Sequence, residues 1–174
     1  GFRKLTLADA ALKVDGASFS HASCRAARAA MGKWGINPND LLWSTGPVGW
    51  NAFLNIEQTL TVDKYGANAT LVTGELARFD GIPIVPSGQV REDLNASGVY
   101  DGSTKTKTTA LLINKRAQLF GVYKAMVIED QRFILNDVTL VVARGRYAFA
   151  PRVGISAAHP TATIIYNLDS SVGS

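Results

Sequence analysis

Apolar positions fall at helical spacing early in this chain and in extended runs late in it. Leu5, Leu7, Ala8, Ala11 and Leu12 fit a short helix, followed by a turn at Asp15-Gly16. The clearest helix covers about Ala22 to Met31. Ser20 is its expected N-cap, Ala22, Ala26, Ala27, Ala29 and Ala30 have high helix propensity, and Gly32 stops it. Its alanine face allows another backbone to approach closely, and Arg25 and Arg28, three apart, share a face. Gly35 to Pro38 is a loop. Leu41 to Ser44 reads as a short buried strand, and Pro47 suits the first position of a helix containing Val48, Trp50, Phe53 and Leu54. A further short helix is expected over Val62 to Tyr65, ended by Gly66.

Extended patterns then take over. Leu76 to Phe79 and Ile82 to Pro86 flank Asp80-Gly81, a strong two-residue hairpin signal. Pro83 and Pro86 donate no backbone hydrogen bond, which places that strand at an edge or margin of its sheet. Ser87 to Thr109 has no apolar periodicity, and a loop of this length is expected to be functional or mobile. Ala110 to Ile113 resumes as a strand, and Asn114 caps a short turn running toward Phe120-Gly121. Tyr123 to Ile128 and Phe133 to Phe149 read as strands joined by the polar Glu129 to Arg132. Val138, Leu140 and Val142 alternate with Val141, Ala143, Tyr147 and Phe149, so both faces are apolar from Val138 to Val142 and both require cover there. Thr161 to Tyr166 is the last strand, and Asp169 to Ser174 is a polar tail expected to fray.

Composition narrows the function classes. Apolar residues make up 47% and charged residues 18% of 174, an ordinary folded composition with a low charged share, and this length buries a full core. A low charged share fits a protein that buries surface against copies of itself. The net charge of +4 is compatible with a nucleic-acid neighbour but does not require one. Cys24 is the single cysteine, so no internal disulfide forms. That points to folding in a reducing, intracellular setting, with Cys24 as a small buried hydrophobe. No apolar run approaches the roughly 20 residues of a membrane helix. The chain starts at Gly1 and reads as a piece of a longer polypeptide.

Candidate chemistry is sparse. His21, His159 and Cys24 are too few for a Cys/His zinc site, and no hydrolase elbow, phosphate loop or dinucleotide fingerprint occurs. Glu92-Asp93 and Glu129-Asp130 are sequence neighbours on expected loops, a poor arrangement for placing two carboxylates across a substrate. Trp34, Trp43 and Trp50 are spread over a helix end, a strand and a helix, which argues for core packing. No catalytic, cofactor or metal residue is therefore assigned, and no enzyme activity is expected.

The order of the pieces is more informative than any one of them. Gly35-Ile36-Asn37-Pro38-Asn39-Asp40 precedes Trp43-Ser44-Thr45-Gly46-Pro47-Val48-Gly49-Trp50. Then come Gly74-Glu75-Leu76-Ala77-Arg78-Phe79-Asp80-Gly81-Ile82-Pro83-Ile84-Val85-Pro86, Met126 to Phe133, Val141 to Phe149, and Pro160-Thr161-Ala162-Thr163-Ile164-Ile165-Tyr166. From about Ala22 to Leu168 this succession resembles the major capsid proteins of tailed bacteriophages, with the Hong Kong phage-type fold. The Gly-Ile-Pro-Ile-Val-Pro segment is its most specific part.

The resemblance implies an α+β fold. An axial domain would hold a mixed sheet flanked by helices, and a peripheral domain a helix and long antiparallel strands. Residues 1–40 would be mainly the peripheral helical part, 41–121 mainly axial domain, 122–168 the long peripheral strands returning to the core, and 169–174 a flexible tail. The chain would be the carboxy-terminal portion, without the amino-terminal arm and extended loop that lace neighbours, and so weakly associated alone. The function implied is a structural subunit of an icosahedral phage or prophage shell, assembled in the bacterial cytoplasm. Its partners would be copies of itself in pentamers and hexamers, packaged double-stranded DNA by non-specific contact, and scaffolding or decoration proteins, with no membrane. Expected interface residues are Arg25, Arg28, Glu92, Asp93, Lys105, Lys107, Glu129, Asp130 and Arg132. Two alternatives stay open: the shell protein of a bacterial nanocompartment of the same fold, and a small α+β binding or enzymatic domain.

Overall fold

A computed structural model describes residues 1–60, 77–133 and 137–170. The chain divides into two compact units, residues 1–115 with 153–174, and residues 116–152.

The larger unit is α+β. Its helices are α1 (Phe2–Ala8), α2 (His21–Ala30), α3 (Pro47–Leu54) and α4 (Glu57–Leu60). Its strands are β1 (Lys13–Asp15), β2 (Leu41–Thr45), β3 (Arg78–Phe79), β4 (Ile82–Pro86), β5 (Lys107–Asn114) and β8 (Ala162–Asp169). They form one mixed sheet in the order β1-β8-β5-β2-β4-β3. β1 with β8 and β2 with β4 are parallel, and the other neighbours are antiparallel.

The central strands are covered on both faces, as their unbroken apolar runs require. Alternation places Leu112 and Ile165 in one cluster with Cys24, Ala27, Met31, Trp43, Phe53 and Phe79. Ile113 and Ala162 lie in the other with Leu12, Ile155 and Phe2. Phe53 is the hub of the first, its ring 4.9 Å from Phe19, 5.3 Å from Trp43 and 5.7 Å from Phe79. The alanine face of α2 meets β8 closely enough for Thr163 Oγ1 to donate to the Ala27 carbonyl at 3.1 Å. Trp34 and Trp50 pack against the same cluster, so the tryptophans are core residues.

Local signals set most of the element ends. Ser20 is the N-cap residue of α2 and Pro47 is at the first turn of α3. Asp80 and Gly81 both take positive φ, 50° and 77°, the backbone of a tight hairpin turn. β4 lies one strand in from the edge, which two-residue β3 forms. Pro83 precedes the ladder with β2 and Pro86 closes it, so neither proline breaks it. The first expected helix forms as α1 plus a 3₁₀ turn at Ala10–Leu12, with Asp9 Oδ1 accepting the Ala11 N–H at 3.0 Å. The helix expected over Val62 to Tyr65, the first residue of the strand expected from Leu76, and the last four residues of the tail lie outside the described residues. β8 runs on to Asp169, past the expected end at Tyr166.

The unpatterned stretch before β5 is tightly tied. Strand β5 starts at Lys107, earlier than the apolar run suggests, and pairs there with Leu94, which is fully buried. Asp101 Oδ1 accepts the backbone N–H of Thr104 at 2.8 Å and of Ser103 at 3.0 Å. The Arg91 guanidinium lies 3.7 Å over the Tyr100 ring and forks onto both Asp93 oxygens at 2.9 Å.

The smaller unit is a two-stranded antiparallel ribbon of β6 (Gln118–Phe133) and β7 (Val138–Pro151). Here the sequence reading needs correction. Glu129 to Arg132 is not a connection: these residues lie within β6, opposite Val142 to Thr139, and Phe133 pairs with Val138. The polar run looked like a turn because strands in a sheet normally alternate toward a core. A ribbon exposed on both faces does not impose that alternation.

Candidate assembly surface

Register fixes which ribbon side chains share a face, because directly opposed residues point the same way and successive ones alternate. One face carries Phe120, Val122, Ile128, Val141, Ala143, Tyr147 and Phe149, with Asp130, Arg132 and Thr139 toward the Phe133–Val138 end. Each of its six large apolar side chains is more than half exposed, from 54% at Val122 to 65% at Phe120. The Phe120 and Tyr147 rings stack at 5.8 Å. The other face carries Leu119, Val127, Leu140, Val142, Ala148 and Ala150, interrupted by Lys124, Glu129, Arg144 and Arg146. Tyr123, beside a register shift between Val122 and Lys124, is 83% exposed.

Both strands also have an outer edge without a partner among the described residues, since the sheet has two members. A row of open backbone groups beside exposed aromatic and β-branched side chains is a template for association. Solvated monomers rarely expose a contiguous apolar patch beyond a few hundred Å². Among the described residues nothing supplies the cover that Val138 to Val142 demand: Val138 is 52%, Leu140 48% and Val141 62% exposed.

The nine residues expected at interfaces fall in three places. Glu129, Asp130 and Arg132 sit on the ribbon. Glu129 faces Arg144 at 3.8 Å, and Arg132 reaches Asp137 at 3.1 Å. Arg25 and Arg28 line a shallow cavity of about 580 Å³ with Ala29, Gly32, Ile36 and Asp80. Arg25 stands 3.5 Å from the Asp80 carboxylate, which His21 also contacts at 3.1 Å. Arg28 is turned inward, donating to the carbonyls of Gly35 and Ile36 at 2.8 Å each. The third place is the loop before β5. Glu92 Oε1 accepts the Val48 N–H at 2.7 Å, capping the N-terminus of α3 across 44 residues of sequence. A β-carbon at Gly46 would collide with that carboxylate, so a larger residue there forces the Glu92 side chain to move. Asp93 is held by Arg91, whose side-chain hydrogen bond lowers its pKa below the usual carboxylate range. Lys107 opens β5, opposite Asp169, and Lys105 lies on the loop just before it.

Alternation puts Tyr147 and Phe149 on one side of their strand, but the turn expected to run toward Phe120-Gly121 is strand from Gln118 on, so sequence reasoning missed Phe120 and Val122 as their cross-strand partners. The signal was present in Phe120, Val122, Tyr147 and Phe149 at alternate positions, but it reads equally as a buried strand. Among the described residues no group of three His, Cys, Asp or Glu side chains is close enough to hold a metal. Burial raises the Cys24 thiol far above its ordinary pKa, with the Asp80 charge adding to the shift, which disfavours the nucleophilic thiolate.

No protein-family model matches the sequence, and no curated protein is detectably similar to it in sequence. Solved structures are similar in fold. The capsid of bacteriophage PhiM1 in its mature form contains a chain that superposes with a TM-score of 0.61 at 12% identity over 83% of this chain. The capsid of cyanophage P-SCSP1u matches with a TM-score of 0.56 at 15% identity over 89% of this chain. The chain spans 45% and 52% of the length of those two proteins. Its α+β architecture is therefore that of phage capsid proteins.

Proposed function

We propose that this chain is part of the shell subunit of a tailed phage or prophage, of the Hong Kong phage type, that associates with copies of itself into an icosahedral capsid around double-stranded DNA. The carrying observation is the ribbon face of Phe120, Val122, Ile128, Val141, Tyr147 and Phe149. It is exposed along its whole length, whereas a free surface of that kind is a liability. The capsid fold of the structural neighbours supports the same reading. In it, the sheet unit forms most of the axial domain and the ribbon the long strands of the peripheral domain. The occupant of the apolar face is a second copy. Asp130, Arg132, Asp137 and Glu129 supply charge pairs at the end of the ribbon, and symmetry multiplies each modest contact.

The test is negative-stain electron microscopy and sedimentation of the polypeptide containing this chain, beside its Tyr147→Asp/Phe149→Asp variant. Both positions are more than half exposed, so the variant should fold. Shells, rings or capsomer sheets from the parent and only small species from the variant are the expected outcome. A parent that stays monomeric at every concentration, or a variant that assembles as well as the parent, would overturn the reading.

A further inference from the structure

The second face of the ribbon breaks a local rule. Lys124 lies directly opposite Arg146, two cations in one cross-strand pair, and Arg144 follows two residues along the same face. Like charges directly opposed destabilise a sheet. The two register shifts in β6, on either side of Lys124, gather these side chains around a cavity of about 590 Å³ lined by Lys124, Ala143, Arg144, Gly145 and Arg146. The neutralising charge in reach is Glu129, 3.8 Å from Arg144, and no ion pair forms at Lys124 or Arg146 among the described residues. A fold that sets like charges together without compensation points to a site where the compensation comes from outside.

Among the described residues, another copy of this chain offers few carboxylates as the anion. Nearly every described carboxylate is already engaged. Asp9, Asp15, Asp101 and Glu92 accept backbone or amide N–H groups. Asp40 accepts from Asn37, Asp80 holds His21 and Arg25, and Asp93, Glu129 and Asp137 hold arginines. Glu57 and Asp169 also have interaction partners. Asp130 is the described exception, one charge against three.

We infer that Lys124, Arg144 and Arg146 form a binding site for the phosphodiester backbone of a nucleic acid. Two guanidinium forks and an ammonium around a concavity suit neighbouring phosphates. The binding this site provides is by charge, so mixed-sequence nucleic acid is its expected ligand. It uses the face of the ribbon opposite the apolar one, so association through the apolar face leaves it open. The inference stands apart from the shell reading, because unassembled chain should bind.

The experiment is fluorescence polarisation of a labelled mixed-sequence double-stranded oligonucleotide with the full chain across a salt series. The variants are Lys124→Gln/Arg146→Gln and, on the other unit, Lys105→Gln. The ribbon variant should bind at least about tenfold more weakly, with the slope of log affinity against log salt reduced by roughly two. Lys105→Gln should behave as the parent. Removing the opposed charges should leave the unfolding temperature equal or higher, which separates lost binding from lost folding. Failure of the parent to bind, or equal binding by the ribbon variant, would overturn the site. So would unchanged DNA binding with altered self-association, which would assign the cations to a protein neighbour. Electron microscopy of the same variant reads the shell reading independently.

Discussion

Asp101 shows how much a single residue organises here. Its carboxylate collects the N–H groups of Thr104 and Ser103, and Asn95 Nδ2 donates to its other oxygen at 3.2 Å. Those bonds, the Thr104 N–H foremost, hold its pKa well below the ordinary carboxylate range. Asp15 is lowered as well, first by the Asn167 amide and then by the Ala17 N–H. The sign follows from linkage. A carboxylate lowered on folding stabilises the folded state above its unfolded pKa of about 3.9, and that stabilisation is lost as pH falls through the folded value. Stability should be flat above about pH 5 and fall in strong acid. Asp101→Asn, which cannot ionise, should be less stable than the parent at neutral pH and approach it as pH falls. Urea midpoints across the acid range check this, and a gap that widens toward low pH would contradict it.

At the scale of elements, α3 is positioned by a residue that its own sequence does not contain. Pro47 presets the first turn and contributes no N–H, and the Val48 N–H is satisfied by Glu92 from the loop before β5. Glu92→Ala should lower stability by about 1 kcal/mol, the usual cost of losing an N-cap. Gly46→Ala should cost a comparable amount, because its β-carbon displaces the same carboxylate. The double variant should cost less than the sum, since both remove one interaction. Full additivity in urea denaturation would show that the carboxylate is not the shared element.

The whole molecule is two units of different physics. The sheet unit has apolar clusters on both faces of its central strands, whereas the ribbon leaves its large apolar side chains in solvent. An isolated two-stranded hairpin is at best marginally stable, so the ribbon must draw stability from something it contacts. Replacing Gln118–Pro151 by a short glycine-rich turn should leave the sheet unit folded, with a cooperative thermal transition and native near-ultraviolet circular dichroism. The same change in the polypeptide containing this chain should abolish assembled particles. Loss of the cooperative transition would show that the sheet unit depends on the ribbon.

The sequence by itself determined what short-range chemistry controls. Ser20, Gly32, Pro47 and the Asp80-Gly81 pair mark boundaries through local backbone preference. The core roles of the three tryptophans also follow from pattern alone. Glu129 to Arg132 was misread because polarity signals contact with water, and a turn and an exposed strand contact water equally. The partners of Arg28 and Glu92 depend on packing between segments distant in sequence, which no local window contains. The two register shifts in β6 each add one residue and so offset one another: plain alternation holds on either side of them, and only the paired structure decides that Lys124 lies opposite Arg146, on the cationic face.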